Sequence, residues 1–147
     1  MTGIPAVREW RLVVSGPPRT KKTSNRIFQV GRKCPVCHKG TAKVMPSEAW
    51  TNWAASASVS RLMPLPWRTP TGSVNVAALF YRDANIGDAT GYYQGLADLL
   101  EARGVLANDR QAVTWDGSRL LIDRVRPRVE VVLTAVVDDP LRDTVAA

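Results

Sequence analysis

Short apolar runs separated by proline, glycine and polar clusters divide the chain into many small elements. Trp10–Val14 is a β-prone run that Ser15-Gly16-Pro17-Pro18 ends in a turn. Arg19 to Arg26 is a polar, basic loop; Ile27–Val30 and Thr41–Met45 read as a strand and its partner, joined by the connector Gly31–Gly40. Ser47 is placed to cap a helix, with Glu48 in its first turn and Trp50, Trp53, Ala54 and Ala57 on one face; Pro64 bounds it. Those tryptophans read as core, with an exposed surface for stacking bases as the second reading. Pro64 to Pro70 is loop by proline density. Val74–Tyr81 is apolar on both alternating faces, which predicts a central strand covered on both sides. Asp83–Asp88 is a turn, and Ala89, Tyr92, Tyr93, Leu96, Leu99 and Leu100 follow helical spacing up to Arg103, with Gly104 in the C′ position. Gly104–Asp109 then reads as an extended return. Ala112–Trp115 and Leu120–Ile122 flank Asp116-Gly117 as a hairpin, and Pro127 precedes a terminal strand through Thr134. The expectation is an α+β domain over residues 1–137, a mixed β-sheet with two main helices, and a tail at 138–147.

Composition adds bounds. Of 147 residues, 45% are hydrophobic and 22% charged, the balance of a chain that folds. No apolar run approaches the ~18 residues of a membrane span, and Met1–Pro18 shows no secretory signal pattern. Two cysteines cannot staple a chain of this size, so the cytoplasm is the expected compartment.

Charge changes the picture more. The net charge is +7, yet residues 1–44 hold ten Lys/Arg against the single acid Glu9, and the remainder is slightly acidic. A basic first third fits contact with a phosphate backbone, where Lys and Arg release counterions; a solvated face without a partner is the other reading. Arg19, Lys21, Lys22, Arg26, Arg32 and Lys33 are the candidate phosphate contacts.

Hydrolysis of a phosphodiester commonly uses a divalent metal, and Mg²⁺ takes carboxylate oxygens and water. One acid pair has a geometric argument. A helix over 89–103 rises about 22 Å, and six extended residues return roughly 20 Å, which would bring Asp109 back beside Asp88. Asp83, at the end of the preceding strand, would reach the same place. The alternative is that Asp88 caps the helix and Asn108-Asp109 forms a turn.

The segment Gly87–Gln111, with Asp88, Thr90, Gln94, Ala97-Asp98-Leu99, Gly104 and Asn108-Asp109-Arg110-Gln111, resembles the RusA family of Holliday junction resolvases. Gly16-Pro17-Pro18 with Ser24-Asn25-Arg26, and Pro127-Arg128-Val129-Glu130-Val131, are similar to the family's opening and closing elements. The resemblance touches about two-thirds of the chain. It implies a homodimer with a Mg²⁺-dependent (or Mn²⁺-dependent) site in each subunit, no small-molecule cofactor, and paired symmetric nicks in four-way DNA junctions. By position it makes Asp88 and Asp109 the metal-binding aspartates, with Thr90 and Gln94 in the same pocket. The family's second aspartate falls on Thr90 and its lysine on Gln94, so a carboxylate and a cation are missing; Asp83 is the candidate substitute for the carboxylate. A branched-DNA-binding module without catalysis is the competing expectation.

Cys34-Pro35-Val36-Cys37-His38 has the spacing of half a zinc knuckle, but the chain holds no other Cys or His to complete four ligands. Zinc with a recruited acid or a second subunit, a redox pair, and a plain turn are the three readings of this 31–40 insert.

Overall fold

The computed structural model describes residues 7–21, 26–30, 41–45 and 47–136, with backbone only for 26–30 and 41–45. Its elements in chain order are β1 (Glu9–Ser15), β2 (Arg26–Val30), β3 (Thr41–Met45), α1 (Glu48–Ser56), β4 (Val59–Met63), β5 (Val74–Arg82), α2 (Ala89–Ala102), a 3-10 turn (Asp109–Gln111), β6 (Ala112–Thr114), β7 (Arg119–Ile122) and β8 (Arg128–Ala135). The expected α+β class, a mixed sheet with two helices, is what the chain forms. No helix among the described residues is long and apolar enough to cross a membrane.

The main sheet has the order β4-β1-β8-β5-β6, and β7 also pairs with β5. Pairing is antiparallel from β4 to β5 and parallel where β6 and β7 join β5. β2 and β3 form a separate antiparallel ribbon. The alternation of β1, β5 and β8 sends Trp10, Leu12, Val14, Val74, Val76, Ala78, Phe80, Val129, Val131 and Leu133 into one core. Both helices cover that face: Trp53 from α1 and Tyr92, Leu96, Leu99 and Leu100 from α2 are buried in it.

Two tryptophans fix α1 to its neighbours by their polar ends. The indole N–H of Trp53 donates to the Ser15 carbonyl at 3.1 Å, and that of Trp50 to the Gly95 carbonyl at 3.0 Å. Both rings pack on or in the core, as the first of the two sequence readings has it.

Three expectations are corrected. The chain after α1 leaves the helix at Ala57, which is extended, and Val59–Met63 becomes an edge strand paired with β1; Ser15 and Ser58 stitch the start of that pairing through their hydroxyls. β5 is central in the sheet but covered on one face: its even-numbered residues 74 to 82 are buried, while Asn75, Ala77, Leu79 and Tyr81 are half-exposed. β6 and β7 do not form a hairpin with each other. Each pairs with β5, and the intervening bend is held by side chains in place of a ladder. The Asn75 amide accepts from Asp116 N at 2.9 Å and donates to its carbonyl at 3.1 Å, and the Ser118 hydroxyl bridges Ala78 N and the Val76 carbonyl.

Candidate functional site

α2 carries most of the residues singled out by the sequence, and its two ends behave differently. At the N-terminus the Asp88 side chain accepts from Gly91 N at 2.7 Å, the capping bond that satisfies an otherwise orphaned amide. Five residues earlier, Asp83 takes both prongs of the Arg19 guanidinium, at 2.7 and 2.9 Å. The hydrogen bonds from Arg19 hold the Asp83 carboxyl below the usual carboxylate range, and Asp83 in turn raises Arg19. Thr90 and Gln94 are exposed on the next turns.

The segment that supplies Arg19 lies directly on α2. Gly91 and Gly95, one turn apart, leave room for it: a Cβ at Gly91 would stand 3.1 Å from the Thr20 side chain, and one at Gly95 would stand 2.9 Å from the Arg19 carbonyl. Lys21 consequently reaches the helix further along, where its ammonium pairs with Asp98 at 2.9 Å and sits 4.3 Å from the Trp50 ring centre.

At the C-terminus the carboxylate oxygens of Asp98, Glu101 and Asp109 all lie within 4.8 Å of one another. Asp98 and Glu101 are three residues apart and so share a helix face. Asp109 joins them because the chain does not return as an extended strand. Gly104, at φ +72°, closes a Schellman turn in which Val105 N donates to the Leu100 carbonyl and Gly104 N to the Glu101 carbonyl. Val105 and Leu106 are then buried under the helix end. Asn108 and Gln111 form a capping box that starts the 3-10 turn, so Asp109 stays level with the last turns of α2.

That geometry does not gather the expected acids into one cluster. Asp98, Asp109's neighbour, is ten helical residues from Asp88, a rise of about 15 Å. Asp83, Asp88 and Asp109 therefore make no common cluster; among the described residues the three-acid cluster is Asp98, Glu101 and Asp109. Asp83 and Asp88 are each occupied, by Arg19 and by the helix N-terminus. Asp98 and Glu101 were not among the expected metal ligands, although their i, i+3 spacing and the Asn108-x-x-Gln111 capping pattern were both legible in the sequence.

Two of the six expected phosphate contacts have their side chains described. Arg19 and Lys21 are committed to Asp83 and Asp98. Lys22, Arg32, Lys33, Cys34, Cys37, His38 and the side chain of Arg26 lie outside the described residues. Gln111 is also structural: its carbonyl oxygen accepts from Ala107 N and Asn108 N, and its NH₂ donates to the carbonyls of Pro70 and Gly72.

The donor set at the foot of α2 suits a hard divalent ion. Three carboxylates offer the oxygen ligands that Mg²⁺ or Mn²⁺ takes, whereas a soft-ligand metal would want sulfur or imidazole. Lys21 offsets one of the three negative charges, which leaves an excess for a cation to neutralise. Comparison with protein-family models finds no match for the chain, and neither does comparison with curated proteins.

Proposed function

We propose that the protein is a Mg²⁺-dependent, structure-specific endodeoxyribonuclease that acts as a homodimer, resolving four-way DNA junctions by paired symmetric nicks in recombination and repair. The observation that carries the reading is the carboxylate cluster of Asp98, Glu101 and Asp109, because all three of its members lie in the segment Gly87–Gln111 that resembles the RusA family. The metal-binding residues of this proposal are accordingly Asp98, Glu101 and Asp109, and Asp88 becomes a helix cap.

A Mg²⁺ ion held there supplies Lewis acidity and lowers the pKa of a bound water. The rest falls to the chain. Lys21 fixes the Asp98 carboxylate, so that its rotamer is set before any ligand arrives. Gln94 lies one turn before Asp98 on the same face, exposed, where its amide would donate to a phosphate oxygen. Thr90, a further turn back, continues that polar edge toward Asp88. Lys22, Arg26, Arg32 and Lys33 remain the phosphate contacts of the basic segment and would position the DNA without reading its sequence. A homodimer would set two such edges against strands of like polarity. What favours a second copy is the half-exposed outer face of the sheet, where Val13, Leu62, Ala77, Leu79 and Val132 line a groove of about 320 Å³.

Two features favour a second reading, a branched-DNA-binding module without catalysis: the separation of Asp88 from Asp109 and the uncharged residues at 90 and 94. A synthetic four-way junction separates the two. The nuclease reading expects nicks with Mg²⁺, none with EDTA, loss in Asp109→Asn and Glu101→Gln, and retention in Asp88→Asn. A junction bound tightly but left uncut in Mg²⁺ establishes the binding module, and absence of binding overturns both readings.

A further inference from the structure

Among the described residues, many cations are engaged by acids or carbonyls, and the β7–β8 loop holds two that are not, two positions apart. Arg124 and Arg126 are exposed and make no ion pair or hydrogen bond through their side chains. Between them Val125 is 96% exposed, the most exposed large apolar side chain of the described chain.

This tip is held in shape. Asp123 Oδ1 accepts from Val125 N at 3.1 Å and from Arg126 N at 3.0 Å, while Oδ2 accepts from Arg128 at 2.9 Å. Those bonds, the Arg126 amide's first, keep the Asp123 carboxyl below its ordinary range. Arg128 also donates to the Arg126 carbonyl at 2.9 Å and lies over the Tyr81 ring at 4.0 Å. The aspartate is thus used up inside the loop and pairs with neither of the two exposed arginines. The loop is anchored to the α2 side by Arg82, which is buried: its carbonyl accepts from Asp123 N, and its guanidinium donates to the carbonyls of Leu121 and Ile86. The tip therefore stands beside the turn that leads into α2.

A rigid loop with two unpaired guanidinium groups around a bare apolar side chain matches a polyanion that also shows apolar surface. Duplex DNA offers phosphates; a duplex that is open or branched also offers unstacked base faces. We propose that Arg124-Val125-Arg126 is a second DNA-contacting element, in which the two arginines each bind a backbone phosphate and Val125 packs against the bases exposed at a branch. The proposal rests on the reading of DNA as substrate and extends it to a part of the chain outside the basic first third.

The test uses the whole protein and fluorescence anisotropy in EDTA, with a labelled four-way junction and a linear duplex of one arm's sequence, over a salt series. Arg124→Ala/Arg126→Ala is expected to weaken binding to both DNAs roughly tenfold and to make the slope of log K against log salt shallower by about 1.8, or about 0.9 per lost phosphate contact. Arg124→Lys/Arg126→Lys is expected to keep the wild-type slope, because the charges remain. Val125→Ser is expected to weaken the junction severalfold while sparing the linear duplex. Wild-type affinity and slope in the double alanine variant, with the junction still cut by the unmodified protein in Mg²⁺, overturn this proposal and leave the nuclease reading standing. A wild-type protein with no salt-dependent DNA binding overturns both. Vesicles of phosphatidylserine and phosphatidylcholine form the third arm: if the double alanine variant loses vesicle binding and keeps DNA binding, the tip is a membrane contact and the proposal fails.

Discussion

The two ends of α2 treat their acids in opposite ways. At the N-terminal end Asp88 is bound to Gly91 N and Asp83 to both nitrogens of Arg19, so each carboxylate is satisfied by a donor of its own. At the C-terminal end Asp98, Glu101 and Asp109 are gathered within 4.8 Å, and among the described residues Lys21 is the one cation paired with any of the three. Carboxylates that already accept good hydrogen bonds have little to offer a metal. Carboxylates crowded together repel one another, and that repulsion is what a divalent cation removes. Motif position in the sequence pointed to Asp88 and Asp109, one from each end; the chemistry of the partners favours the second end.

The contrast can be broken first at the segment that serves both ends. Gly95→Val drives a branched side chain into the Arg19 carbonyl, which is backbone, and into the Trp50 indole. It is expected to destabilise the fold by about 3 kcal/mol in denaturant melts, the overpacking range. Next in size, Asp109→Asn is expected to lower junction cleavage about a hundredfold, equivalent to about 2.7 kcal/mol, while Asp88→Asn leaves cleavage near wild type. Equal loss from both would mean that the two ends act together.

Cation binding gives the third measure. Mg²⁺ at ten times its dissociation constant is expected to stabilise the wild type by about 1.4 kcal/mol in a thermal melt, an increment absent from Glu101→Gln/Asp109→Asn. Removing the cap is a smaller, purely structural change: Asp88→Ala is expected to destabilise by about 1 kcal/mol, and Asp88→Asn by much less, because Asn caps nearly as well.

The smallest effect is in pH. Folding lowers the Asp83 pKa through Arg19, so this pair adds stability above the unfolded carboxylate pKa of about 4, and loses it as the pH falls through the lower folded value. Solvent screening at this half-exposed site keeps the effect below about 1 kcal/mol. Arg19→Ala is expected to flatten the acid limb of a plot of melting temperature against pH. An unchanged limb would show that the pair contributes nothing to stability.

Much of this architecture was legible before any coordinates. Apolar, β-prone runs marked β1, β5 and β8, because strands that line a core take apolar side chains out of water. Ser47, Asp88 and Gly104 marked helix boundaries, since caps answer a local shortage of hydrogen-bond partners. The α+β class followed from these elements. The edge strand Val59–Met63 was not legible, because its residues become a strand only by pairing with β1. Nor was the pairing of β6 and β7 with β5, which Asn75 and Ser118 arrange from forty residues away. Along α2, spacing carried Asp109 back to Asp88 only if residues 104 to 109 were extended. Val105 and Leu106 decide otherwise, since burying two apolar side chains under the helix end outweighs keeping the segment straight. Local pattern determines where elements begin and end, because the forces that set it act over a few residues. Which acids meet, which cations remain free, and which face of the sheet stays open depend on contacts between distant parts of the chain, and only the folded protein sets those.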